Sequence, residues 1–178
     1  GQRDTGGSSC RLLVVDGLSL PVLEELEPDV LRLGWSRLRP VEGRWSGVAV
    51  AALPTVTEIS RASLLAGRLC SGTQANEKVA FASHEGLARA RQGTPVLFHK
   101  GELSDGVALA PAVRAALSDS AQRVVGVVYN AIDDQLDGAD QVHVRWTLDD
   151  LRLLPTLLHE ARGAGRVVVL TADHGHVL

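Results

Sequence analysis

Arg123-Val124-Val125-Gly126-Val127-Val128-Tyr129 is an unbroken apolar run, rich in β-branched residues and without the alternation of a half-solvated strand. Such a segment reads as a strand buried on both faces. The same pattern recurs outward from it at Arg11–Val15, Gly47–Ala52 and Arg166–Leu170, with a weaker case at Thr94–Phe98. Amphipathic stretches lie between these runs, at Pro21–Leu33, Ser60–Ala66, Pro111–Leu117 and Leu148–Ala161. Alternation of short apolar strands with helical segments predicts parallel pairing through helical crossovers. The expected fold is therefore a doubly wound α/β sheet, mostly parallel, with helices on both faces. The last helix is the most clearly written. Thr147 is placed to cap it, and Asp149 and Asp150 suit the positive end of its dipole. Leu151, Leu154, Leu157 and Leu158 form one stripe, and Gly163 and Gly165 close it.

The chain of 178 residues, 45% of them hydrophobic, suffices for one domain with a true core. A net charge of −3 and a pI near 6.1 provide no basic field for a nucleic-acid backbone. Aromatics at 3% leave no platform for stacking bases. Two cysteines, Cys10 and Cys70, are too few for a disulfide framework or a thiolate cage. No apolar run is long enough to cross a bilayer and no leader-like order of charged and apolar residues opens the chain, so a soluble, cytoplasmic protein is expected. Residues 1–10, polar and Gly-rich over Gly1–Ser9, are expected to form a disordered or loop lead, and 11–178 one core. The missing initiator Met, and an end directly after a strand and a His-rich turn, give the expectation of a fragment of a longer protein.

In an open parallel sheet, ligands bind outside the carboxyl ends of the strands. Four of the expected strands end in groups able to bind a cation or attack a substrate. Val14-Val15 runs into Asp16-Gly17. The 47–52 run leads to Pro54-Thr55-Val56-Thr57. The 123–129 run opens into Asp133-Asp134-Gln135-Leu136-Asp137, and the 166–170 run into Asp173-His174-Gly175-His176. Singly these are weak, since Asp-Gly after a strand is ordinarily a turn and an acidic run ordinarily a solvated loop. Two imidazoles and a carboxylate within four residues, Asp173, His174 and His176, suit a transition metal more specifically. Thr57 precedes a short helix closed by Gly67, where free backbone N–H groups and the dipole favour a phosphate oxyanion. Capping alone would also account for a threonine there. As a nucleophile its hydroxyl needs a metal for activation.

The stretch Leu53-Pro54-Thr55-Val56-Thr57-Glu58-Ile59-Ser60-Arg61-Ala62-Ser63-Leu64-Leu65-Ala66-Gly67-Arg68 resembles the nucleophile segment of sulfatases and nucleotide phosphodiesterases. Thr57 stands where sulfatases carry a modified Cys, which points to phosphate esters. Thr171-Ala172-Asp173-His174-Gly175 is similar to the metal turn of the alkaline phosphatase superfamily, and Val14-Val15-Asp16-Gly17 to its first metal-binding strand end. Val128-Tyr129-Asn130-Ala131-Ile132-Asp133-Asp134, with the Asp173–His176 turn, resembles the PglZ proteins of BREX phage-defence systems within that superfamily. The resemblance implies a phosphatase or phosphodiesterase with two zinc ions, or manganese as the alternative. It places Asp16, Thr57, Asp173 and His174 on one ion and Asp133 on the second. Relatives have a His four residues after that Asp; here Asp137 stands in that place, with Asp134 as its competitor and His176 as a further ligand candidate. The superfamily's last ligand to the second ion lies beyond Leu178, so at most one ion is expected to bind well. Arg61, Asn76 and Lys100 are candidate phosphate contacts. A phosphate ester, or a nucleotide or nucleic-acid phosphodiester, is the implied substrate, and other BREX proteins are the implied partners. The alternative is a catalytically silent scaffold that binds those partners.

Overall fold

The computed structural model describes residues 10–38, 50–88, 93–106, 108–130, 132 and 145–175. Among these residues four strands form one sheet: β1 (Cys10–Val15), β2 (Val96–Phe98), β3 (Val124–Tyr129) and β4 (Val167–Thr171). Their order is β2-β3-β1-β4 and every pairing is parallel. Val15 lies opposite Tyr129, and Val14 lies opposite both Val128 and Thr171, so the carboxyl ends of β1, β3 and β4 come level at one edge. The described helices are α1 (Leu20–Arg32), α2 (Thr57–Ala66), α3 (Gln74–Ala82), α4 (Glu85–Ala88), α5 (Pro111–Ser118) and α6 (Leu154–Gly163).

All six residues of β3 are buried, which is what an unbroken apolar run requires of its surroundings. Alternate side chains leave opposite faces of the sheet. Leu13, Val15, Val125, Val127 and Tyr129 point into a large cluster with Val22 and Leu26 of α1, Val113 and Leu117 of α5, and Leu154, Leu157 and Leu158 of α6. Val14, Val124 and Val128 point the other way, onto Leu65 of α2 and Phe81 of α3. Helices thus cover both faces, as expected. Gly126 faces the α3 side, where a Cβ would lie 2.6 Å from Leu97 Cδ1 and 2.9 Å from Phe81 Cζ. Only a residue without a side chain lets the Phe81 ring approach so closely.

Arg166, just before β4 and 4% exposed, donates from its guanidinium to the carbonyls of Leu117 and Asp119 at 2.6 Å and of Gln122 at 2.7 Å. It thereby satisfies acceptors at the end of α5 and brings positive charge to the negative end of that helix.

Two expectations need correction. Of the strand expected at Gly47–Ala52, residues 50–52 form no strand and Val50 is 92% exposed, while 47–49 lie outside the described residues. The single helix expected over Leu148–Ala161 is two pieces. Leu148–Asp150 is a 3-10 turn, and α6 begins at Leu154 with Pro155 in its first turn, where the missing N–H has no helical partner to lose. Thr147 does act as a cap, but for the short turn, its N–H and hydroxyl both donating to Asp150 Oδ2 at 2.8 Å. Helices α3 and α4 were not expected. The expected lead over 1–10 lies outside the described residues except for Cys10, which opens β1.

Candidate metal centre

Asp16 follows β1 directly. Its N–H donates to Tyr129 O at 2.9 Å, extending the ladder by one residue and fixing where the carboxylate emerges. Gly17, at φ 75°, then turns the chain away. Asp173 lies two residues beyond β4, and β1 and β4 are direct neighbours, so parallel register alone brings Asp16 and Asp173 to the same edge. Gly175 closes the turn against the start of α1, with room for a Cβ only at 3.3 Å from Ser19 Cβ. One ligand atom from each of Asp16, Asp173 and His174 lies within 4.8 Å of the others. His174 Nε2 stands 3.1 Å from Asp16 Oδ1 and 3.9 Å from Asp173 Oδ2.

The electrostatics are those of a site built for positive charge. Asp16 is fully buried and Asp173 is 3% exposed. Asp16 Oδ1 and both carboxylate oxygens of Asp173 are buried without a hydrogen bond. Buried oxygens without a hydrogen bond are costly, and carboxylates that carry them beside an imidazole fit a divalent cation. Burial, and then the neighbouring Asp173, push the Asp16 carboxyl up to about 6, against the opposing pull of His174 and Arg61. Asp16 Oδ2, by contrast, is saturated: Asn130 Nδ2 donates to it at 2.6 Å and Arg61 Nη1 at 3.1 Å.

Arg61 was a candidate phosphate contact on sequence; it is 6% exposed and directed at Asp16 and Glu77. Thr57 is half-buried at the first position of α2, and the cap position belongs to Val56, so capping does not explain the threonine. A spacing of four residues puts Thr57 and Arg61 on one face of α2. Asn76 is exposed, its Oδ1 accepting from the Thr73 N–H at 3.0 Å and hydroxyl at 2.9 Å at the start of α3. Lys100 is exposed at the start of a 3-10 turn. Asp133, Asp134, Asp137 and His176 lie outside the described residues.

Among the described residues, three polar groups linked to Asp16 directly or through Arg61 were not singled out as site residues: Asn130, Glu77 and His99. Asn130 could have been found as Asp16 was, as a polar residue ending a strong strand. Nothing local marks the other two.

No described helix is long and apolar enough to cross a membrane. No individual curated protein matches the chain at a significant level. Residues 2–178 match a family model described as the BREX system PglZ alkaline phosphatase-like domain. With nearly its whole length covered, and with the parallel sheet already in view, the chain belongs to the PglZ family of BREX-system alkaline phosphatase-like domains.

Proposed function

We propose that this domain is the core of a metal-dependent phosphoric ester hydrolase, a phosphatase or phosphodiesterase, with Thr57 as its nucleophile. The observation that carries the reading is the trio of Asp16, Asp173 and His174, with three buried carboxylate oxygens that lack a hydrogen bond, at the carboxyl edge of a parallel sheet. These three, with the Thr57 oxygen, would hold one ion. Zinc suits the mixed Asp and His donors, and manganese is the alternative. Asp133 and Asp137, with Asp134 as the competitor of Asp137 and His176 as a further candidate, are proposed for a second. A bound divalent ion supplies Lewis acidity, which favours the alkoxide form of a coordinated hydroxyl and offsets charge on phosphoryl oxygens.

Thr57 Oγ1 attacks phosphorus in line with the leaving group, the phosphorus–oxygen bond to that group breaks, and the departing alkoxide takes a proton from solvent. Water then hydrolyses the phospho-threonine, releasing phosphate or a phosphomonoester and restoring the hydroxyl. The first turn of α2 contributes backbone N–H groups suited to the developing oxyanion. Phosphate esters or nucleic-acid phosphodiesters are the proposed substrates, other BREX proteins the proposed partners, and the cytoplasm the proposed location.

Turnover of a model phosphodiester and a phosphomonoester with zinc or manganese tests this. Thr57→Ala should lower the rate by roughly 1,000-fold, about 4 kcal/mol of transition-state stabilisation. Equal slow release by wild type and variant would overturn the catalytic claim. A cation that raises the melting temperature without any turnover would favour a scaffold instead.

A further inference from the structure

Behind the trio, the α2–α3 side of the sheet buries a line of charge. Arg61 Nε donates to both oxygens of Glu77, at 3.1 and 3.2 Å, while its Nη1 reaches Asp16 Oδ2 at 3.1 Å. His99 Nε2 donates to Glu77 Oε2 at 2.6 Å, and the His99 backbone N–H is held by Glu102 Oε2 at 3.0 Å. Arg61, Glu77 and His99 are 6%, 1% and 2% exposed, so water cannot stand in for any of them. Burial opposes ionisation of Glu77, but the hydrogen bonds from His99 and Arg61 and their charge outweigh it and hold its carboxyl below the usual range.

We propose that Glu77 and His99 are positioning residues for the metal centre, holding Arg61 so that it occupies Asp16 Oδ2 and leaves Oδ1 to the cation. The inference rests on reading Asp16, Asp173 and His174 as a cation site. Asn130 and Arg61 both donate to one oxygen, which orients the carboxylate and leaves the other without a hydrogen bond, facing His174 Nε2 at 3.1 Å. Arg61 alone would take Asp16 as its only counter-charge and compete with the cation for it. With Glu77 on its far side, the guanidinium stays compensated when Asp16 turns its charge to an ion, and it need not move. His99 in turn fixes which way the Glu77 carboxylate faces.

Calorimetric titration of the 178-residue chain with Zn²⁺ alone decides it, with circular dichroism confirming that each variant is folded. Wild type should bind, and Asp173→Asn should not. Glu77→Gln, equal in size but uncharged, should weaken zinc binding by about 10- to 100-fold per folded molecule. His99→Gln, which keeps a donor, should stay near wild type, while His99→Phe should fall towards Glu77→Gln. A merely structural pair would lower the melting temperature and leave zinc affinity unchanged. Wild-type affinity in folded Glu77→Gln would overturn the proposal and leave the cation site standing. If Glu77→Gln does not fold, equal affinities for the two His99 variants overturn it instead. Absence of binding in wild type would remove the cation reading, and this inference with it.

Discussion

The two faces of the sheet are built on different principles. On the α1, α5 and α6 side, nineteen buried apolar residues form one continuous cluster among the described residues. On the α2 and α3 side only six of the described residues do so, and the interior there also holds Arg61, Glu77 and His99, hydrogen-bonded in series to Asp16. The first face can be explained by area removed from water. The second gives up apolar contact for fixed charge, which stabilises little by itself but holds a carboxylate in one orientation. Stability and site geometry are thus assigned to opposite sides of the same four strands.

Truncation on each side probes that division most strongly. Phe81→Ala should cost about 3–5 kcal/mol and Leu154→Ala about 2–5 kcal/mol, since both side chains are fully buried. They should part company in zinc titration. Phe81 sits one turn after Glu77 on α3, so its loss should also weaken the cation, whereas Leu154→Ala should leave affinity at the wild-type value. Equal effects on affinity would erase the distinction between the faces.

A smaller effect tests the charge placed between them. The raised Asp16 carboxyl means that the proton it holds favours the fold fully below about pH 4, its ordinary range, and that this contribution fades as pH rises through about 6. With chelator present, wild type should lose up to about 3 kcal/mol from this group between those limits. Asp16→Asn should show a flatter profile in denaturant melts across the same range. Zinc should restore wild type near neutral pH and leave Asp16→Asn unchanged. Parallel profiles for the two proteins would contradict the assignment. The smallest expected effect is at the rim of the polar face, where Lys78 and Glu102 pair while about two-fifths exposed. Lys78→Ala should cost less than about 1 kcal/mol and should not alter zinc affinity.

Four of the five expected strands were legible because burial on both faces demands runs such as Val124–Tyr129, whose ends the sequence marks to within a residue, whereas the run at 47–52 misled, since residues 50–52 form no strand. The trio followed from them, since Asp16 and Asp173 stand where neighbouring strands stop. Helix α3 was not legible, because Glu77 occupies an inward position and interrupts the apolar stripe that would have announced it. Its reason for being inward lies in Arg61 and His99, sixteen and twenty-two residues away. The split at Leu148–Ala161 was signalled by Pro155, which favours a first turn over a helix interior, but the leucine periodicity continues across the break and masks it. Thr57 was read from the short helix that follows it and from the resemblance of its segment, and finding Val56 at the cap removes the simplest competing reason for its presence.

Gly126 has a reach that its size does not suggest. The depth to which the Phe81 ring sinks towards β3 is set by a hydrogen atom where every other residue would place a carbon. Phe81 and Glu77 ride on the same side of one short helix, so that depth is also the height at which the acidic group meets Arg61. A single methyl group added at the middle of a strand would lift the helix like a shim, and the disturbance would arrive, through one guanidinium, at a carboxylate on the far end of the neighbouring strand.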